Sequence, residues 1–323
     1  MFFEIIRKNK RWKHRSFELN GGFMDDLDLK KLKKIKNIAI KALFTDDELM
    51  DTFVLKGGTA LEHLQINNRS SIDIDVSMET DFNLDEIRPK LEEIFKEAFE
   101  EEGYFLFDFQ MDKKPYRENI KQAKFWGGYC VNFKVMEISK KDSLKRQDID
   151  SLRRNAMVVG NNNTKTYKID ISKYEYCNFP KQEMDLEGYT IYVYTPLMIV
   201  DEKIRAICQQ MDKYRDIVET NQKQRARDFF DIYNIIDKLK LHDNFYSDEN
   251  LKVLREMFKV KKVPLELIND IQNEDVKLFH ESNFSSVKDI ISSENDIKDF
   301  DFYYNQIVDL VKDIDVNHVN SLG

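Results

Sequence analysis

The sequence predicts an α+β fold: a mixed strand-and-helix core followed by an all-helical C-terminal region. Three observations carry this. TFVLKGG (Thr52 to Gly58), TALEHLQ (Thr59 to Gln65) and SIDIDVS (Ser71 to Ser77) read in succession as strand, turn, helix, strand. Further β-rich runs follow as far as Thr195. From Pro196 onward the apolar spacing is helical with almost no strand signal, so the expected division is a core over 1–195, with its N-terminal helix, and a helical domain over 196–323.

The elements are justified in chain order. DDLDLKKLKKIKNIAIKALF (Asp25 to Phe44) repeats apolar residues at near-helical spacing after an acidic first turn, which predicts an amphipathic helix. Asn83 is placed to cap a helix that runs to Gly103. YFLFDFQM (Tyr104 to Met111), YCVNFKVME (Tyr129 to Glu137), KTYKIDIS (Lys165 to Ser172) and YTIYVYT (Tyr189 to Thr195) are strands by their β-branched and aromatic content. PLMIVDEKIRAICQQM and QRARDFFDIYNIIDKL open the helical part, and NNN (Asn161 to Asn163) is a turn.

With 323 residues, 41% of them hydrophobic, the chain buries a sizeable core. The net charge of −8 gives no general attraction to nucleic acid or an anionic membrane, and Asp243 to Asp315, with 17 acids against 9 bases, accounts for it. Contact with RNA or phosphate must therefore be local. RKNKRWKHR (Arg7 to Arg15) and KKLKKIK (Lys30 to Lys36) are basic enough to track a phosphate backbone, but a solvated helix face is the expectation. Cys130, Cys177 and Cys208 are too few and too far apart for a disulfide framework or a zinc site, which fits a reducing cytoplasm. The opening MFFEIIRKNK is the reverse of a signal peptide, and no apolar run reaches the roughly 18–20 residues that span a bilayer. A soluble, cytoplasmic protein without a membrane partner is expected.

The chemistry is concentrated between Lys56 and Ser77. On a strand, residues two apart leave the same face about 6.5–7 Å from each other, so Asp73 and Asp75 project together while Ile72, Ile74 and Val76 enter the core. Two carboxylates that close need a cation, and hard Mg²⁺ suits them because it keeps open positions for substrate phosphates. Gly57 and Gly58 permit close approach of the backbone to a ligand, the helix begun at Thr59 directs its free N–H groups at an anion, and Thr59 adds a hydroxyl. Together these form a site for a nucleoside triphosphate, provided that turn and strand meet in space.

GGTAL (Gly57 to Leu61) followed by RSSIDID (Arg69 to Asp75) resembles the signature of the DNA polymerase β-like nucleotidyltransferase superfamily, in particular its AbiEii-like toxin branch. Arg69, Ser71, Asp73 and Asp75 match that pattern in place, and the gap between Gly58 and Asp73 favours the toxin branch. The resemblance implies a polymerase β-like core with a mixed sheet and a third acid on a neighbouring strand. Asp170 in KIDIS is the candidate, completing a metal site and accepting the proton of the attacking hydroxyl, with Asp108 as a weaker rival. EKIRA (Glu202 to Ala206) and RDFFDIY (Arg227 to Tyr233) resemble the branch's C-terminal motifs, which implies a triphosphate role for Lys203 and an orienting role for Asp228, with Asp231 on the same helix face.

The expected activity is Mg²⁺-dependent transfer of a nucleotide from an NTP to an acceptor hydroxyl. Asp73, Asp75 and Asp170 would hold metal, Gly57, Gly58, Thr59 and Lys203 would hold phosphates, and Arg69 and Ser71 would brace the acidic strand. By resemblance the protein is the toxin of a toxin–antitoxin or phage-defence system, acts on RNA such as tRNA, and has a cognate antitoxin. Phosphoryl transfer, a small-molecule acceptor such as an aminoglycoside, and a non-catalytic nucleotide-binding module stay open. His63 is given no role, and Trp126 and KKDSLKRQDIDSLRR (Lys140 to Arg154) are taken for ordinary surface features before RNA contacts.

Overall fold

The computed structural model describes residues 26–64, 73–116, 124–159, 164–178, 181–219, 221–288 and 297–322. Among the described residues the strands form one sheet in the order β3-β4-β5-β2-β1-β7-β6. They are β1 (Val54–Lys56), β2 (Ile74–Ser77), β3 (Tyr104–Lys114), β4 (Gly128–Glu137), β5 (Tyr167–Ser172), β6 (Gln182–Leu186) and β7 (Tyr189–Val193). β2 runs parallel to β5 and β1 parallel to β7, while the other pairs are antiparallel, so the sheet is mixed. The fold is α+β.

The alternation of β4 explains which face is covered. Tyr129, Val131, Phe133 and Val135 enter the core, and Phe133 meets Phe95 and Phe99 of the Leu84–Glu101 helix edge-on at 5.6 and 5.5 Å between ring centroids. That helix is capped as expected, with Asp85 N donating to Asn83 Oδ1 at 3.1 Å, and it buries Ile87, Leu91, Phe95 and Phe99 at helical spacing. The Asp26–Leu43 helix packs against it through a buried stripe that includes Ile35, Ile38 and Ala42. The opposite sheet face carries Asp75, Asp170 and Asn132, and towards the end of β4 a smaller apolar cluster of Phe107, Met136, Leu152 and Ala156 covers it.

Among the described residues all strands precede Pro196 and the elements after it are helical. Thr195 caps the Pro196–Cys208 helix, its Oγ1 accepting from Met198 N at 3.2 Å. The Ala226–Leu239 and Asp248–Val260 helices pack on it, and Phe229 joins the Phe300–Lys312 helix through Phe300 at 5.2 Å. The hydrophobic core does not divide at residue 196, since one contiguous cluster runs from Ile35 to Leu322. No helix among the described residues is long and apolar enough to cross a membrane.

Two regions depart from the sequence-based expectation. β6 pairs with β7 through a tight hairpin in which Glu187 and Gly188 both have positive φ, 54° and 89°. The charged Lys140 to Arg154 segment is not a plain loop. It contributes to the Ile138–Ser143 and Ile149–Asn155 helices, and Leu152 packs with Phe107, Met136 and Ala156.

Candidate active site

The glycine turn and the acidic strand meet. β1 and β2 are antiparallel with Lys56 opposite Asp75, so the chain leaving β1 passes over the Asp75 carboxylate. Gly57 stands there with φ +62°, and a Cβ added to it would lie 2.7 Å from Asp75 Oδ2. Only glycine combines that left-handed backbone with so close an approach. The Gly57–His63 helix starts at this point, and Thr59, fully buried, donates from Oγ1 to the Asp73 carbonyl at 2.7 Å. The Thr59 hydroxyl, expected on a phosphate, thus ties the turn helix to the acid strand.

Three acids lie close together. Asp75 and Asp170 are register partners on the parallel strands β2 and β5 and share one sheet face, and Asp73 stands exposed in the bend just ahead of β2, near enough to act on the Asp75 carboxyl. Burial is the largest cause that pushes the Asp75 carboxyl up to about 6; Lys56 opposes it, while Glu202, Asp170 and Asp73 add to it. Burial also acts upward on Asp170, but hydrogen bonds from Lys114 and Lys168 outweigh it and hold that carboxyl below its ordinary value. Among the described residues no group of three or more His, Cys, Asp or Glu side chains converges as a ready metal cage. The donor set nevertheless suits a hard divalent ion: neighbouring carboxylates on one face, one of them pushed up mainly by burial. Asp170 would exchange its lysines for that ion.

A buried charge network links the turn to the helical part. Lys56, the residue before Gly57, donates to Glu202 Oε1 at 2.7 Å and lies 3.6 Å from Glu175. Glu175 also meets Arg205 at 2.9 Å and Lys261 at 3.2 Å, and Lys261 donates to the Lys173 carbonyl at 2.7 Å. Burial acts upward on Glu175, but Arg205, Lys261 and Lys56 outweigh it and depress the carboxyl strongly. Burial drives Lys261 down to about 8. None of Lys56, Glu175 and Lys261 was foreseen, because charged residues scattered over 206 positions of the chain give no spacing signal.

Lys203 follows Glu202 on the same helix, yet its ammonium is engaged elsewhere. It donates to Asp228 at 2.7 Å and Asp231 at 2.9 Å, all three side chains being buried. Burial lowers the affinity of Lys203 for its proton, and the two carboxylates reverse that and hold it charged. The sequence-predicted Lys203 and Asp228 are therefore brought together, as ion-pair partners.

Asp108 sits in a bulge of β3 with φ 53°, two strands from β5, where Arg153 grips it with bonds of 2.6 and 2.9 Å. It is no neighbour of Asp75. His63 is half-buried and driven down to about 4 chiefly by desolvation, hence neutral, and Trp126 packs against the core. Arg69, Ser71, the Arg7 to Arg15 patch and the NNN turn lie outside the described residues. Lys36 of the second basic patch is buried against Glu62.

The fold has loose counterparts among solved structures. JHP933 from Helicobacter pylori is similar at 18% identity over 90% of this chain and 92% of its own, with a TM-score of 0.41. MenT4, a nucleotidyltransferase toxin from Mycobacterium tuberculosis H37Rv, is similar at 12% identity over 91% of this chain and 87% of its own, with a TM-score of 0.49. No curated protein sequence matches the chain. The family model described as "Nucleotidyl transferase AbiEii toxin, Type IV TA system" matches residues 39–315, which takes in the glycine turn, the three acids, Lys203 and Asp228. The chain belongs to the AbiEii toxin family and is a nucleotidyltransferase of the toxin–antitoxin kind.

Proposed function

We infer that this enzyme moves a nucleotide from a magnesium-bound NTP to an acceptor hydroxyl, with an RNA such as tRNA as the acceptor. The observation that carries this reading is the passage of Gly57 directly over Asp75, with Asp170 beside it on β5. A triphosphate laid along the turn would meet the backbone of Gly57 and Gly58 at one end and metal held by Asp73, Asp75 and Asp170 at the other. The ion would neutralise charge on the phosphates.

The reaction balances as an in-line displacement. The acceptor oxygen bonds the α-phosphorus, the α–β phosphoanhydride bond breaks, pyrophosphate departs, and the hydroxyl proton passes to the Asp170 carboxylate. Lys203, held charged between Asp228 and Asp231, anchors the Pro196–Cys208 helix, whose Glu202 is bonded to Lys56 at the turn. Membership of a toxin–antitoxin family implies a cognate antitoxin. Phage defence and a cytoplasmic site of action, where NTPs and RNA are found, complete the reading.

The test is incubation with each NTP, labelled at the α- or the γ-phosphate, together with total RNA and Mg²⁺. Label from the α-position alone should enter RNA, and Asp73→Asn should abolish it while the fold persists. Transfer of γ-label, labelling of small molecules only, or an active Asp73→Asn protein would overturn the assignment.

A further inference from the structure

Asp170 has two cations for one carboxylate. Lys168 lies two residues earlier on β5 and so on the same sheet face, and it bonds Oδ2. Lys114 arrives from the end of β3 and bonds Oδ1. Both side chains keep access to solvent, at 47% for Lys114 and 36% for Lys168. A divalent ion shared by Asp75 and Asp170 needs those same oxygens. With such an ion bound, the Lys114 and Lys168 ammonium groups would be released beside the reacting centre.

The strand order decides which substrate they serve. The glycine turn lies over β1 and β2, so donor phosphates occupy that flank of Asp75. Lys114 belongs to β3 and Lys168 to β5, the strand of Asp170, so both stand on the side of Asp75 away from the glycine turn, the side left for the second substrate. A polycationic acceptor would be repelled there. An acceptor carrying phosphate next to its hydroxyl would be held, since each lysine offers a charge-assisted bond.

On the nucleotidyl-transfer reading, we propose that Lys114 and Lys168 form the acceptor's phosphate subsite, covering Asp170 until a divalent ion displaces them onto a phosphate beside the attacking hydroxyl. The shared chemistry is a phosphate group, borne by a polynucleotide or by a small phosphorylated alcohol.

The test measures binding of a fluorescent single-stranded oligoribonucleotide, with Ca²⁺ in place of Mg²⁺ to prevent turnover, and separately of Ca·ATP, Ca·GTP, Ca·CTP and Ca·UTP. For the parent, Ca²⁺ should tighten oligonucleotide binding relative to EDTA. Lys114→Gln/Lys168→Gln should bind the oligonucleotide at least about tenfold more weakly and bind Ca·NTP at least as tightly as the parent does. Its salt slope should fall by about 1.4 for two lost phosphate contacts on a single strand. Asp170→Asn, which cannot retain the lysines as an anion, should bind the oligonucleotide without metal. Competition by ribose 5-phosphate at comparable affinity assigns the subsite to a small phosphorylated acceptor, and its failure to compete assigns it to a polynucleotide. Equal oligonucleotide affinity in the double variant, with NTP binding intact, overturns the subsite alone. Failure of all four Ca·NTP complexes to bind the parent overturns the transfer reading and the subsite with it.

Discussion

Asp75 on β2 lies between Lys56 on β1 and Asp170 on β5, as register partner to both. The base and the acid pull its carboxyl in opposite directions, and burial decides the outcome, raising it from 3.8 to about 6. A raised carboxyl favours the native state only when protonated, so its ionisation removes stability as pH rises from about 4 to 6, and the full cost persists above that. Asp75→Asn, neutral throughout, should be inactive yet melt higher than the parent at pH 8. The two melting curves should draw together below pH 4. Melting temperatures taken across this range check the sign, and a variant less stable at pH 8 would contradict it.

Gly57→Ala probes the close approach itself. The added methyl meets Asp75 Oδ2 at 2.7 Å on a backbone with φ +62°. Left-handed strain alone costs about 1–3 kcal/mol, so urea denaturation should show a loss of that order and activity should fall. Gly188→Ala in the hairpin is the control, because a Cβ there meets nothing within 4 Å, leaving only the strain of φ +89°.

Lys203→Met should leave Asp228 and Asp231 buried without their shared cation. Breaking a buried pair by removing one partner costs about 3–5 kcal/mol, measurable by urea denaturation without any nucleotide present. A side chain that served only the triphosphate would leave the stability of the free enzyme unchanged. Loss of activity and loss of stability are therefore expected together.

Glu175→Gln tests the buried network. The parent's Glu175 carboxyl is depressed from 4.5, so its stabilisation is complete above that value and is lost as pH falls towards the lower native value. At pH 7 the variant should be less stable by about 3–5 kcal/mol, since Lys56, Arg205 and Lys261 lose a common partner. The gap should narrow as pH falls below 4.5, which denaturation at graded pH will show.

Much of the site was legible because it is local. Period-two alternation put Asp75 on the face away from Ile74 and Val76, the doubled glycine marked a turn that few side chains fit, and the i, i+3 spacing set Asp228 and Asp231 toward one partner. Asp170 required the family resemblance, since the sequence contains no rule that pairs β5 with β2 across nearly a hundred residues. The charge network was illegible for the same reason. Lys56, Glu175 and Lys261 come from three distant stretches, and only packing shows that they share one buried space. β6 was missed because its alternating charged residues, QEMDL, look like loop until the Glu187-Gly188 turn pairs them with β7.

The most direct measurement is Mn²⁺ and Mn·NTP binding by the parent, Asp75→Asn and Asp170→Asn, followed by calorimetry, with thermal melts to verify folding. The account predicts that the parent binds Mn·NTP and that each variant, still folded, binds it at least about tenfold more weakly. Unchanged affinity in both folded variants would show that the face shared by β2 and β5 is not where the metal-bound nucleotide sits.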